Sequence, residues 1–167
     1  MKTSYYANLK NIDIKKYIPV AISGDEGRLV GFQGKAMREL SPYPFYKKWK
    51  ASEDEIERKL IEHEITIDEY KKLKEISQNH YINKFYNIVL KKLNPKDIAD
   101  KLENCVMLCF EKPNKFCHRF LVASWLEINL DIKIDEYGFE NDIEVNNNKA
   151  NLKKKLQVLM EEEKGLE

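Results

Sequence analysis

Short apolar runs alternate along the chain with longer stretches in which apolar residues recur roughly every three or four positions. The first pattern predicts strands and the second predicts amphipathic helices. Strands are predicted over residues 3–9, 17–23, 105–110 and 132–134. The run 105–110, C-V-M-L-C-F, is apolar nearly throughout, which is typical of a strand covered on both faces in an α/β sheet.

Two capping signals predict where helices begin. Ser52-x-x-Glu55 and Thr66-x-x-Glu69 both match the capping box, in which a hydroxyl and a carboxylate bond the free N–H groups of a first turn. The first box predicts a helix of about ten residues. The second predicts a long amphipathic helix that ends at about Lys92, because apolar residues follow it at helical spacing.

Three further helices are predicted from local signals. Asn94 followed by Pro95 matches an N-cap with proline at the first helical position. A short helix is predicted over residues 34–40, and a longer one over residues 117–130. Helices and strands therefore alternate along most of the chain.

The last predicted helix follows three asparagines at residues 146–148, which mark a break or cap. Its apolar stripe lies among lysines and glutamates and consists of Leu152, Leu156, Leu159 and Met160. This stripe can pack against the rest of the chain or against a second copy, so a homo-oligomer through this helix stays open. We therefore divide the chain into an α/β domain over residues 1–140 and a helical tail over residues 141–167.

Together the elements predict an α/β fold: a small, mostly parallel sheet flanked by helices, in a single compact domain with a C-terminal helical extension. The length of 167 residues fits one domain with such an appendage. Hydrophobic residues make up 43% of the chain, which is enough for a packed core.

Composition narrows the partners and the compartment. Charged residues make up 34% and the net charge is +1, so there is no global reason to expect nucleic acid or an anionic membrane. Three cysteines, an odd number, argue against a secreted disulfide framework. The N-terminus lacks the apolar core of a signal peptide, and no run approaches the ~20 apolar residues that span a bilayer. We expect a cytoplasmic protein without a membrane partner.

Reactive side chains concentrate in residues 109–127, C-F-E-K-P-N-K-F-C-H-R-F-L-V-A-S-W-L-E. A metal site is one interpretation. Cys105 and Cys109 would lie ~13 Å apart on one strand, which is too far for a zinc ion that needs its ligands within ~2.3 Å. Cys109, Cys117 and His118 could in principle share an ion, but we predict no metal and no cofactor.

A reactive thiol is the second interpretation. Cys117 stands where a helix is predicted to begin, and helix N-termini lower thiol pKa values. His118 and Arg119 add positive charge nearby. Cys117 nevertheless shares a helix face with Leu121 and Trp125, where a cysteine is more often a small buried hydrophobe. Cys117 and His118 are retained as candidate catalytic residues, with a core role as the alternative.

Binding of an anionic ligand is the third interpretation. Open α/β sheets bind ligands at strand–loop–helix turns, and the free N–H groups of a helix start favour negative charge. Arg119 would offer a guanidinium fork to phosphate or carboxylate. Glu111 would accept a hydrogen bond from the ligand and serve as an acid/base group. An ion pair between Glu111 and Arg119 that only closes the loop is the structural alternative.

Two other segments offer candidate ligand contacts. The ends of the first two predicted strands share an edge of the sheet with this turn, because the strands are expected to be parallel. The candidates there are Tyr5, Asn8, Ser23, Asp25 and Arg28. Residues 43–50 interleave aromatic side chains with lysines, a pattern that stacks bases in single-stranded nucleic acid, and Trp49 is the candidate contact. A core or lid segment is the alternative.

The combination of Glu111 with Cys117-His118-Arg119, between a strand and a helix that contains W-L-E, resembles the signature of the domain-of-unknown-function 488 family of bacterial and phage proteins. The segments T-S-Y-Y-A-N-L-K, V-A-I-S-G and L-S-P-Y-P-F-Y-K-K-W resemble one branch of that family. The resemblance covers residues 3–134. It implies a small, mostly parallel α/β domain with these four polar residues as its signature, and suggests a nucleotide- or nucleic-acid-related role without naming a reaction.

We therefore expect a cytoplasmic protein that binds a small phosphorylated or nucleotide-like ligand at the turn over residues 111–119. In one form it is an enzyme that acts on this ligand, such as a glycosidic-bond hydrolase. In another it is a binding protein that sequesters a nucleotide without turnover. Binding of single-stranded nucleic acid through residues 43–49 is a third, separate expectation.

Overall fold

Four short parallel strands form one sheet in the computed structural model, which describes residues 1–165. The strands are β1 (Lys2–Tyr5), β2 (Ile18–Ala21), β3 (Lys35–Ala36) and β4 (Cys105–Cys109). Their order is β1-β4-β2-β3, and each neighbouring pair is parallel. The predicted α/β fold with a small parallel sheet is confirmed.

Five α-helices accompany the sheet in the described part of the chain. They are α1 (Tyr43–Ile61), α2 (Ile67–Ile88), α3 (Pro95–Lys101), α4 (His118–Leu130) and α5 (Ile143–Lys164). Of these helices, none has the length and apolar character of a membrane-spanning segment.

The two faces of the sheet are covered differently. On one face, here the helix face, Val20 and Met107 pack in a large core with residues from all five helices. On the opposite face, here the loop face, Val106 and Leu108 pack against Tyr6 and its neighbours. All five residues of β4 are buried because this strand is central and covered on both faces, as its apolar sequence predicted.

Two of the predicted helix starts are confirmed. Thr66 accepts a hydrogen bond from the Glu69 backbone N–H, and the Glu69 carboxylate accepts one from the Thr66 N–H at 2.8 Å. The Asn94 side chain caps α3 by accepting from the N–H groups of residues 96 and 97.

The prediction of a helix start at Ser52 is wrong. This residue lies in the middle of α1, and its hydroxyl donates to the Lys48 carbonyl at 3.2 Å. Bonding to the preceding turn is a usual alternative for a serine inside a helix. The start lies instead just after Pro42, where the Tyr43 N–H donates to the Ser41 hydroxyl at 3.3 Å.

Three other predicted elements differ from the structure. The first strand ends at Tyr5 and continues as a 3₁₀ helix, Tyr6–Asn11. Residues 34–40 form β3 and a 3₁₀ turn, Arg38–Leu40, instead of a short helix. Residues 132–134 are irregular, because the Ile134 N–H donates to a side chain, the Glu127 carboxylate, at 2.8 Å.

The C-terminal helix α5 starts earlier than predicted and packs within the chain. Asp142 is its N-cap and accepts from the Val145 N–H at 3.0 Å, so the asparagines at 146–148 lie inside the helix. Leu156 is fully buried, and α5 contacts both α4 and α2. The predicted apolar stripe is therefore mainly covered by the protein's own domain.

Candidate functional site

The carboxyl ends of β1 and β4 form a topological switch point. The two strands are neighbours, but the chain leaves them toward opposite faces of the sheet. After β1 it enters the 3₁₀ segment Tyr6–Asn11, where Tyr6 packs on the loop face. After β4 it enters α4, which packs on the helix face. Open α/β sheets bind their ligands beside such a point.

A buried cluster of two cysteines and one histidine adjoins the switch point. Cys109 is the last residue of β4, Cys117 is the N-cap of α4, and His118 is its first helical residue. The His118 Nδ1 atom lies 3.4 Å from the Cys109 sulfur and 4.0 Å from the Cys117 sulfur. All three side chains are buried.

The hydrogen bonds of His118 define its tautomer. Its Nε2 atom lies 2.9 Å from the Ile22 carbonyl oxygen, just after β2. A carbonyl can only accept, so Nε2 carries a hydrogen and donates it. In the neutral ring Nδ1 then has a free lone pair, and this lone pair faces the sulfur atoms.

The two thiols of the cluster have opposite pKa shifts. The hydrogen bond to Cys117 and burial raise the pKa of Cys109 well above its ordinary value. Burial alone would also raise the pKa of Cys117, but the hydrogen bond from Cys109, the charge of Arg119 and the hydrogen bond with His118 lower it well below the usual range. Negative charge is thus stabilised on Cys117.

Arg119 is engaged within the protein. Its Nε and Nη2 atoms donate to the Glu136 carboxylate at 3.2 and 3.0 Å, and Nη1 donates to the Glu111 carbonyl oxygen at 2.7 Å. The guanidinium also lies over the Phe120 ring, 4.4 Å from its centroid. The residue has no solvent exposure. It closes the loop through the Glu111 backbone, with Glu136 rather than Glu111 as the ion-pair partner.

The Glu111 side chain is exposed and stands at the switch point. Burial of part of its carboxyl group and the nearby Cys117 sulfur raise its pKa, while the charges of Arg119, Lys50 and Lys115 act in the opposite direction. Glu111 therefore has cationic side chains around it and a free carboxylate that can reach a ligand.

Tyr6, the residue after the candidate contact Tyr5, connects the end of β1 to the loop after β2. Ser23 donates to the Asp25 carboxylate at 2.7 Å, so the Tyr6 hydroxyl must be the donor in its own 2.7 Å bond to Ser23. Burial raises the pKa of Tyr6 to about 12. The ring centroids of Tyr6 and Phe110 lie 4.9 Å apart, and Phe110 is 39% exposed.

Asp25 and Arg28 order the loop that follows β2. The Asp25 carboxylate accepts from the N–H groups of Gly27 at 3.2 Å and Leu29 at 3.0 Å. Burial alone would raise the pKa of Asp25, but these bonds and the one from Ser23 lower it. Arg28 is exposed, and its Nε atom donates to the Asp25 carbonyl at 2.9 Å.

The other two predicted contacts near β1 make bonds within the domain. Asn8 is buried, and its amide nitrogen donates to the Ser4 hydroxyl and the Tyr137 carbonyl, each at 3.1 Å. Tyr5 is half-buried and lies against Phe139, with ring centroids 6.2 Å apart. The structure thus brings Ser23 and Asp25 together with Tyr6, and engages Asn8 in hydrogen bonds within the domain.

Trp49 is half-buried and packs on the helix-face core. Its ring lies 4.7 Å from Tyr81 and 6.1 Å from Phe116, and its Nε1–H donates to the Ser77 carbonyl at 3.3 Å. A tryptophan held in this way offers little free surface for base stacking. This geometry favours the predicted alternative of a core segment.

Two surface grooves lie away from the switch point. One runs between the start of α1 and the end of α2, and the other between α2 and α5. Searches against family models, curated proteins and solved structures found no match to the chain. The resemblance to the domain-of-unknown-function 488 family stays a prediction that rests on the motif itself.

Proposed function

We propose that this is a cytoplasmic protein that binds a small phosphorylated or nucleotide-like ligand at the switch point between β1 and β4. The observation that carries the proposal is the topology, because the chain departs from these neighbouring strands toward opposite faces. The cytoplasmic assignment is supported by three free, buried cysteines, which a reducing compartment keeps as thiols.

The residues at the switch point favour a ligand that has both a flat ring and an anionic group. Phe110 is partly exposed and packs at a tilt against Tyr6, and its exposed part would be a surface for stacking a base. The positive charges of Lys115 and of Lys50, which pairs with Asp54 at 2.6 Å, act on Glu111 and would also attract a phosphate bound there. In this proposal the two lysines bind the anionic group of the ligand, which the sequence analysis assigned to Arg119.

The role of Glu111 differs between a protein that only binds the ligand and an enzyme that cleaves it. Its exposed carboxylate would accept a hydrogen bond from a ligand hydroxyl or base nitrogen. In the enzymatic form of the proposal Glu111 serves as the acid/base group in cleavage of a glycosidic bond. In the non-catalytic form it contributes only to recognition.

The test is calorimetric titration and thermal shift with nucleotides, cyclic nucleotides and nucleosides. Phe110→Ala removes the stacking surface, which is worth ~1–3 kcal/mol per base, so binding should weaken by roughly five- to a hundred-fold. Tyr43→Ala is the matched control, since Tyr43 is an aromatic residue 55% exposed at the start of α1. It should bind like the wild type.

Two results would contradict the proposal. One is the absence of binding by every phosphorylated or nucleotide-like compound. The other is binding that Tyr43→Ala weakens and Phe110→Ala leaves unchanged, which would move the site to residues 43–49. Mass spectrometry of the ligand after incubation then separates the two forms, because an enzyme returns product and a binding protein returns the compound unaltered.

A further inference from the structure

We propose that Cys109, Cys117 and His118 form a binding site for one zinc ion. Their donor atoms lie within 4.8 Å of one another. The three residues come from two different elements, the end of β4 and the start of α4, and are held together by the 110–117 turn. This proposal is separate from the ligand proposed above and departs from the sequence expectation that the chain holds no metal.

The two sulfur–nitrogen distances are close to those that a tetrahedral ion requires. A metal–sulfur distance of ~2.3 Å and a metal–nitrogen distance of ~2.0 Å at tetrahedral angles separate sulfur from nitrogen by ~3.6 Å. The corresponding separations from His118 Nδ1 are 3.4 Å for Cys109 and 4.0 Å for Cys117. An ion can therefore be accepted with shifts of a few tenths of an ångström.

The orientation of the imidazole matches that of a metal-ligating histidine. Such histidines donate their second ring N–H to a carbonyl or carboxylate, which fixes the tautomer and aims the other nitrogen at the metal. His118 does this through the 2.9 Å bond from Nε2 to the Ile22 carbonyl. The ring is also held from one side by Phe85, whose centroid is 5.6 Å away.

Charge and ligand type specify the class of ion. Both cysteines bind as thiolates, and their two negative charges neutralise one divalent cation. Thiolates with an imidazole favour zinc over magnesium or calcium, which take oxygen ligands. The nearby charge of Arg119 is already balanced by Glu136 and adds no net charge to the site.

Three protein donors leave a fourth position, as in zinc sites that keep one position for water or a ligand atom. A water molecule is therefore the expected fourth ligand. The site would tie the end of β4 to the start of α4.

The first test is the metal content of protein purified from zinc-supplemented cells, measured by plasma mass spectrometry. Wild type should carry about one zinc per chain. Cys109→Ser and Cys117→Ser each remove a ligand, so zinc affinity should fall by at least roughly ten-fold and the zinc content should fall well below that of the wild type. Cys105→Ser is the matched control, because Cys105 is also buried but begins β4, ~13 Å along the strand from Cys109. It should retain zinc.

A second test needs no variant and therefore does not depend on how a substitution affects folding. Cobalt(II) added to reduced, zinc-free wild type should give a thiolate-to-metal charge-transfer band with a one-to-one titration end point. If zinc-free protein shows no such band after cobalt(II) is added, the proposal is overturned. So would equal metal content in Cys105→Ser and a folded Cys117→Ser. Nucleotide titrations report on the ligand proposal separately, since they need neither cobalt nor these variants.

Discussion

The ion pair of Arg119 and Glu136 is withdrawn from solvent, with side-chain exposures of 0% and 1%. Burying a charge costs several kcal/mol unless a partner and further hydrogen bonds satisfy it. Arg119 finds both, in the Glu136 carboxylate and the Glu111 carbonyl. One side chain therefore joins the start of α4, the turn before it and the segment after it. Its position in this structure is that of a structural residue.

Arg119→Ala should destabilise the protein strongly even in the absence of ligand. The change leaves the buried Glu136 carboxylate without its partner, which costs ~3–5 kcal/mol of unfolding free energy. Urea unfolding followed by circular dichroism measures this loss. Arg58→Ala is the control, because Arg58 pairs with three glutamates on an exposed surface, and its midpoint should change little.

The opposite outcome would also be informative at this position. If Arg119→Ala unfolds at the wild-type midpoint and only loses stabilisation by nucleotide, then Arg119 contacts the ligand in a conformation other than the one described. That result would restore the role that the sequence motif suggested for it.

The sequence predicts a feature of the site when the contacting residues are close together along the chain, and fails when they are far apart. Cys117 at a helix start follows from local signals, and the structure places it at the N-cap. Glu136 pairs with Arg119 across 17 residues, through an irregular segment whose path no local spacing determines. The approach of Cys109 to His118 likewise depends on how the 110–117 turn folds back.

At the scale of elements, α4 and α5 are held together by Glu127 as well as by apolar packing. Its carboxylate accepts from Lys149, from Lys153 at 3.0 Å and from the Ile134 N–H at 2.8 Å. Burial alone would raise the pKa of Glu127, but the hydrogen bonds from Lys149 and Ile134 lower it. The interaction thus stabilises the fold only while the carboxyl is ionised.

Glu127→Gln should lower the unfolding free energy in a pH-dependent way. Because the folded-state pKa is lowered, the contribution is complete above the unfolded value of ~4.3 and is lost as the pH falls through the folded value. The difference between wild type and variant should therefore be largest near neutral pH and shrink below about pH 4.3. Urea midpoints at a series of pH values measure it. Glu144→Gln, an exposed acid on α5, should show no such profile.

Helix starts were also predicted correctly where the capping signal was sufficient by itself. The caps at Thr66 and Asn94 are complete within four residues, and both are confirmed. Ser52-x-x-Glu55 matches the same capping-box pattern as Thr66-x-x-Glu69, but α1 starts earlier and incorporates it. Packing of Phe45 in the helix-face core favours this longer helix, and a local pattern contains no information about such packing.

At the scale of the molecule, α5 belongs to the core although its sequence resembles a tail. The buried stripe Leu152, Leu156 and Met160 packs in the same cluster as the helix face of the sheet. The charge pattern of lysines and glutamates around the stripe is shared by tails and by docked surface helices, so it cannot separate the two. The domain boundary near residue 140 is therefore a prediction that calls for a direct experiment.

A chain that ends at Glu140 should fail to fold into a stable monomer. Removing α5 exposes the apolar surface of α4 and α2 that the stripe now covers, and it removes both lysine partners of Glu127. Leu156→Ala tests the same packing within the full chain and should cost ~2–5 kcal/mol, since Leu156 is fully buried. Val158→Ala, at a position 46% exposed on the same helix, should cost far less. A truncated chain that melts cooperatively at the wild-type temperature would instead show that residues 1–140 fold independently, and would leave α5 available for another partner.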